Sequence, residues 1–120
     1  MKPLFIIMFL LSLASCAHFE PNPRPWTKHE KVALGWSCLA SVADMYTTTK
    51  ALNNPSNWER NSMLGRHPSD QEVVVFLSVT QLVTIGISHW FPDLRIPFLC
   101  VKGTVNTVNA LGNTRLDWNE

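Results

Sequence analysis

The sequence predicts an all-α protein in which three long helices and one short helix form a membrane-embedded bundle. Two observations predict this class. Charged residues make up only 16% of the 120 residues, well below the quarter or so that is usual in soluble domains. Long apolar stretches also alternate with helix-start motifs of the capping-box type, in which a hydroxyl and a carboxylate satisfy free backbone amides.

The first fifteen residues have the features of a signal peptide. Lys2 gives a basic start, and residues 4–13 form an apolar core that is too short to span a bilayer. The following Leu13-Ala14-Ser15-Cys16 resembles the bacterial lipobox, in which a peptidase cuts before a cysteine that carries diacylglycerol. The resemblance implies a signal peptide over 1–15, lipidation of Cys16 and a location in the bacterial cell envelope. The alternative is an ordinary secretory signal with a chance cysteine.

The composition after Cys16 predicts the organisation of the remaining chain. Three prolines lie between residues 16 and 27, which indicates an extended tether between the lipid and the fold. Residues 28–113 are predicted to form the helical bundle domain, and residues 114–120 a frayed tail.

Three capping-box patterns place the starts of the helices at Thr27–Glu30, Ser56–Glu59 and Ser69–Glu72. Prolines and glycines place most of the ends, because proline cannot continue a helix and glycine favours its termination. The predicted helices are Lys28 to Leu52, a short helix from Asn57 to Leu64, Asp70 to Trp90, and a last helix from about 93–97 to Gly112.

The polar residues of the long helices follow helical spacing. Lys102, Asn106, Asn109 and Asn113 lie on one stripe of the last helix. The first helix has a similar stripe of small and polar residues: Ser37, Ser41, Asp44, Thr48 and Ala51. We therefore expect Asp44 to meet Lys102, Asn106 and Asn109 as a polar cluster inside the bundle, where pairing offsets part of the desolvation cost.

The middle long helix is the best candidate for crossing a bilayer. Residues 73–91 contain no charged side chain, and His89 and Trp90 stand at one end of the stretch. The alternative is a soluble three-helix bundle that is held at the membrane by its lipid alone, with its polar stripes in water. The scarcity of Lys and Glu on those stripes favours the embedded arrangement.

Short motifs in the middle of the chain resemble a family of small uncharacterised helical membrane lipoproteins of bacteria and their phages. The motifs are Asp44-x-x-Thr47-Thr48, Glu59-Arg60-Asn61 and Leu64-Gly65-x-His67-Pro68-Ser69, with Ser62 where the family pattern has proline. The resemblance implies a helical membrane architecture and carries no known activity.

The sequence contains no H-E-x-x-H, C-x-x-C or P-loop motif, so we expect no catalytic residues, no metal and no cofactor. The expected role is structural or interactive, with the membrane and a second copy or an envelope protein as partners. A net charge of +1 gives no reason to expect nucleic acid. The alternative is an intramembrane proton or ion relay through Asp44, Lys102 and His89, or a small hydrolase that uses Asp44 with Glu59 and His67.

Overall fold

The computed structural model describes residues 21–59 and 63–116, and throughout these ranges the regular structure is helical. Helix α1 spans Lys28–Leu52, α2 spans Asp70–Trp90 and α3 spans Arg95–Asn113. A single 3-10 turn, Pro92–Leu94, joins α2 to α3. The predicted all-α class with three long helices is therefore confirmed.

The starts of α1 and α2 are set by the predicted capping boxes. The Thr27 hydroxyl accepts a hydrogen bond from the Glu30 amide, and the Glu30 carboxylate accepts one from the Thr27 amide. Ser69 and Glu72 form the same reciprocal pair at the start of α2. Each box satisfies two amides that have no partner within the helix, which explains why both starts could be predicted.

The predicted short helix from Asn57 to Leu64 is wrong for the residues that the structure describes. Residues 57–59 and 63–64 are not helical, and residues 60–62 lie outside the described ranges. The cause lies at Asn54, whose side-chain oxygen accepts hydrogen bonds from both the amide and the hydroxyl of Ser56. This local turn takes the Ser56 amide, and the Glu59 amide donates to the Arg66 carbonyl at 2.9 Å, so neither amide is left for a capping box.

Helices α1 and α3 run parallel, and α2 runs antiparallel to both. Glu30 contacts Arg95 at the starts of α1 and α3, and Thr48 contacts Asn113 near their ends. Ser37 on α1 is hydrogen-bonded to Gln81 on α2. The largest helix–helix interface is between α1 and α3.

The interior of the bundle is mostly polar. Among residues 21–59 and 63–116, twelve of the nineteen buried side chains are polar or charged, and four of the seven apolar ones are alanines. All five members of the predicted α1 stripe are buried, whereas the buried face of α3 is a neighbouring stripe. That stripe consists of Arg95, Leu99, Gly103, Asn106 and Ala110.

Gly103 sets the distance between α1 and α3. A β-carbon built at this position would lie 3.0–3.1 Å from three ring atoms of Trp36 on α1. The indole therefore occupies the space that any larger residue would need. Small residues at such crossings allow helix backbones to approach closely.

Substitution of Gly103→Leu is expected to lower the stability of the bundle by about 1–3 kcal/mol, because overpacking forces neighbouring side chains out of their preferred geometry. Thermal unfolding followed by circular dichroism measures the effect. Gly35→Leu is the matched control, since a β-carbon at Gly35 meets nothing within 4 Å. Equal melting temperatures for the two variants would contradict the close approach at Gly103.

Candidate functional site

The predicted lipidation site, Cys16, lies outside the described residues. The predicted polar cluster and its surroundings lie within them. Asp44 is 3% exposed and lies on the inner face of α1. Its carboxylate accepts a hydrogen bond from the Thr48 hydroxyl at 3.1 Å and a longer one from the Asn109 amide at 3.5 Å. Asp44 and Asn109, two of the predicted cluster residues, are therefore in contact.

Lys102 and Asn106 form a separate pair on α3. The Lys102 ammonium donates to the Asn106 side-chain oxygen at 3.2 Å. Both Lys102 and Glu59 are close enough to act on Asp44 electrostatically, Lys102 by attraction and Glu59 by repulsion. In the described part of the chain, however, the ion pairs are those of Glu30, and none joins Asp44 to Lys102.

A third polar contact extends the cluster toward the ends of α1 and α3. The Asn113 amide donates to the Thr48 hydroxyl at 2.8 Å and to the Thr47 hydroxyl at 3.3 Å. Since Thr48 in turn donates to Asp44, the carboxylate, the hydroxyl and the amide form one chain of hydrogen bonds. This chain orients Asp44 toward the open end of the bundle.

The Asp44 carboxylate lines an open cavity of about 680 Å³ at the loop end of the bundle. This volume lies within the range of small-molecule sites, roughly 300–1,000 Å³. The charged and amide side chains at its wall are Asp44, Glu59, Asn57, Asn109, Asn113 and Arg115. Apolar side chains complete the wall, among them Leu52, Trp58, Leu64, Leu77 and Leu116. The cavity therefore combines a buried carboxylate with apolar surface.

The residues proposed for a relay or a hydrolase are not all gathered at this cavity. Asp44 and Glu59 line it, but His67 does not. His89 is exposed at the far end of α2, where its carbonyl accepts a hydrogen bond from Arg95. Within the residues described, no group of three His, Cys, Asp or Glu side chains could hold a metal ion.

Both cysteines of the bundle are free thiols. Cys38 is half-buried on α1, where its sulfur accepts a hydrogen bond from Gln81 at 3.5 Å, and Cys100 is half-buried on α3.

The most extensively bonded charged residue, Arg95, was not singled out by the sequence. Its side chain is 0% exposed. The guanidinium donates to the Glu30 carboxylate at 3.1 Å, to the carbonyls of Ser88 and His89 at the end of α2, and to the carbonyls of Arg24 and Pro25. One buried cation therefore joins the starts of α1 and α3, the end of α2 and the segment before α1.

Two further contacts close this end of the bundle. The ring of Trp26 covers the Arg95 guanidinium, with 4.3 Å between the guanidinium carbon and the ring centroid. The amide of Asn22 donates to the Trp90 carbonyl at 3.0 Å. Residues 22–26, which belong to the predicted tether, are thus held against the helix ends. The Arg95 junction is defined as Arg24, Trp26, Glu30 and Arg95 with these backbone carbonyls.

Glu30 has two roles at the Arg95 junction. It caps α1, and it is the counter-ion of both Arg24, at 2.6 Å, and Arg95, at 3.1 Å. The hydrogen bond from Arg24, with smaller contributions from the Thr27 amide and Arg95, lowers the pKa of the Glu30 carboxyl to about 2, against the opposing effect of burial. The carboxylate therefore stays charged at every physiological pH.

No protein-family model, curated protein or solved structure matches the chain.

Substitution of Glu30→Gln is expected to destabilise the fold by about 3 kcal/mol, because it leaves the buried Arg95 without a counter-ion. Arg24→Gln is the matched control. The Arg24 side chain is 43% exposed, and exposed ion pairs contribute at most about 1 kcal/mol. Chemical denaturation of the purified proteins measures both values. A loss in Arg24→Gln as large as that in Glu30→Gln would contradict the central role of Arg95.

The lowered pKa of Glu30 also predicts a dependence of stability on pH. The folded value is about 2 and the ordinary value is 4.5, so the unfolded chain takes up the proton first as the pH falls. The contribution of Glu30 is complete above pH 4.5 and is lost progressively toward pH 2. Melting temperatures of the wild type and Glu30→Gln should therefore converge over this interval. Curves that stay parallel would contradict the assignment.

Proposed function

We propose that the chain is a membrane-embedded helical bundle of the bacterial envelope, anchored by acyl chains on Cys16, with a structural or interaction role. Its partners are the lipid bilayer and, through its exposed faces, a second copy or another envelope protein. The observation that supports this proposal best is the distribution of polarity, in which buried positions are mostly polar and exposed positions are rich in large apolar side chains.

The exposed apolar side chains occur on all three helices. On α2, six of them are at least 43% exposed: Val74, Val75, Val79, Leu82, Val83 and Trp90. On α1 they are Val32, Leu39, Val42 and Tyr46, and on α3 they are Val101, Val105, Val108 and Leu111. A monomer in water rarely exposes so much contiguous apolar surface, whereas hydrocarbon solvates it without cost.

Helix α2 has the length and composition of a membrane span, with 21 residues and a strongly apolar sequence. Such helices also form the cores of soluble proteins, so the position of their side chains matters. The buried residues of α2 are Val73, Leu77, Gln81, Thr84 and Ser88. Three of these five are polar, whereas Val75, Val79, Leu82 and Val83 are more than half exposed, which favours lipid over water as the surrounding medium.

Helices α1 and α3 are less apolar. The polar side chains of the α1 stripe are buried inside the bundle, whereas α3 buries Arg95 and Asn106 and exposes Thr104 and Asn109. The segment of α1 within the bilayer is taken as residues 32–49, between Lys31 and Lys50, so Glu30 and the Arg95 junction lie at the membrane surface. Asp44, the charged residue within this segment, is buried against α3. Burial inside the bundle avoids the cost of about 2.5–3.5 kcal/mol that insertion scales assign to a lipid-exposed aspartate.

The lipid anchor is supported by the lipobox-like residues before Cys16 and by the position of the segment that follows. Asn22, which is bonded to the end of α2, is the sixth residue after Cys16. A chain of this length reaches about 20 Å at most. Acyl chains on Cys16 and the Arg95 junction are thus expected at the same surface of the bilayer.

The experiment is alkaline carbonate extraction of bacterial membranes that contain the full chain with Cys16→Ser. Embedded protein remains in the membrane pellet without its acyl chains, and Cys38→Ser serves as the control for loss of a thiol. Release of Cys16→Ser into the supernatant, as a monomer in buffer without detergent, would overturn the proposal.

A second pair of variants in the same assay tests whether lipid or water surrounds α2. Leu82 is 67% exposed near the middle of the helix. In lipid, Leu82→Arg costs about 2.5–3.5 kcal/mol and reduces the amount of membrane-inserted protein. In water, the same exposed substitution changes stability by at most about 0.5 kcal/mol. Gln71→Arg, at the exposed start of α2, is the matched control, and equal insertion of both variants contradicts embedding.

A further inference from the structure

The cavity at the loop end contains a buried carboxylate that the proposed role does not use. Asp44 is 3% exposed, and buried charges are normally paired with a charge of opposite sign. In the described ranges its hydrogen bonds come from Thr48 and Asn109, both neutral donors. Lys102, the nearby cation, donates instead to Asn106. The carboxylate therefore has acceptor capacity left for a cation that enters from the cavity.

We infer that the cavity binds the phosphoethanolamine group, with Asp44 as the counter-ion of its primary ammonium. A primary ammonium has three N–H donors, which match an acceptor that can take about four hydrogen bonds and receives two. The wall carries the carboxylates of Asp44 and Glu59 and the guanidinium of Arg115.

Arg115 is placed to bind the phosphate, the other charged group of the ligand. It lies on the cavity wall with the amides of Asn109 and Asn113, and a guanidinium binds phosphate through two parallel hydrogen bonds. Opposite charges on one wall therefore fit a zwitterion better than a simple amine. The apolar part of the wall, which includes Leu52, Leu77 and Leu116, accommodates methylene groups beside the charges.

Two sources can supply this group. One is the headgroup of phosphatidylethanolamine. This source rests on the proposed function, because only an embedded bundle presents the cavity to lipid. The other is free phosphoethanolamine, which enters from water at the loop end. Asp44 is eight residues from the end of α1 at Leu52, so either ligand must reach about 12 Å into the bundle.

The experiment measures ligand binding to the full chain in detergent by isothermal titration calorimetry. The probes are dihexanoyl phosphatidylethanolamine, dihexanoyl phosphatidylglycerol and free phosphoethanolamine. We expect phosphatidylethanolamine to bind at least about tenfold more tightly than phosphatidylglycerol, which has the phosphate but no ammonium. Binding of free phosphoethanolamine with equal affinity assigns the site to a soluble ligand, and weaker binding assigns it to lipid.

Two variants test the site by independent means. Asp44→Asn removes the counter-ion and should weaken binding about tenfold, with Asp93→Asn at the opposite end of the bundle as its control. Gly112→Met fills the cavity from its wall, where an added β-carbon meets nothing within 4 Å. Gly35→Met, which has the same free space outside the cavity, should bind as the wild type does. The Gly112 pair keeps the test valid even where Asp44→Asn does not fold.

The inference is overturned by absence of binding, by equal affinity for phosphatidylglycerol, or by wild-type affinity in both Asp44→Asn and Gly112→Met. These outcomes are separate from those of carbonate extraction. If the protein resists extraction but binds the probes with equal affinity, the inferred ligand is wrong and the proposed embedding stands. Protein that is released by carbonate but binds free phosphoethanolamine overturns the embedding alone.

Discussion

The buried ion pair between Arg95 and Glu30 is the constraint on which the arrangement of the helices depends. Arg95 is removed from water and donates to one carboxylate and four backbone carbonyls that belong to three separate segments. Desolvation of a guanidinium is costly, so these partners must all be present together. The pair thus determines which helix ends meet, and this in turn makes α1 and α3 parallel.

The interior that follows from this constraint is held by polar contacts and by close approach. Trp36 fills the space above Gly103, while Ser37–Gln81 and Thr48–Asn113 hydrogen bonds join neighbouring helices. Burial of Ser37, Gln81 and Thr48 keeps water from competing for these hydrogen bonds. Most of the large apolar side chains lie on the outside and contribute little to contacts within the bundle.

Local features of the fold could be predicted from the sequence, and distant contacts could not. The starts of α1 and α2 depend on side chains three residues apart, so the capping boxes at Thr27 and Ser69 identify them. The predicted short helix is absent from the described residues because Asn54 and the Arg66 carbonyl take the amides of Ser56 and Glu59. The register of α1 against α3 places Asn109, one turn beyond Asn106, at Asp44. In the sequence, Arg95 resembles an ordinary charge beside a helix. Its burial could not be predicted, because it depends on the convergence of three segments.

The two ends of the bundle differ in a way that gives the molecule a direction. At one end, Arg95 joins the ends of the helices, and the Trp26 ring and the backbone bond from Asn22 to Trp90 cover the interior. Between the final turns of α1 and α3, by contrast, the interior stays accessible from outside through a wide mouth. In the proposed arrangement, acyl chains on Cys16 lie at the Arg95 end, so the mouth faces the opposite leaflet and admits solutes or headgroups from the side remote from the anchor.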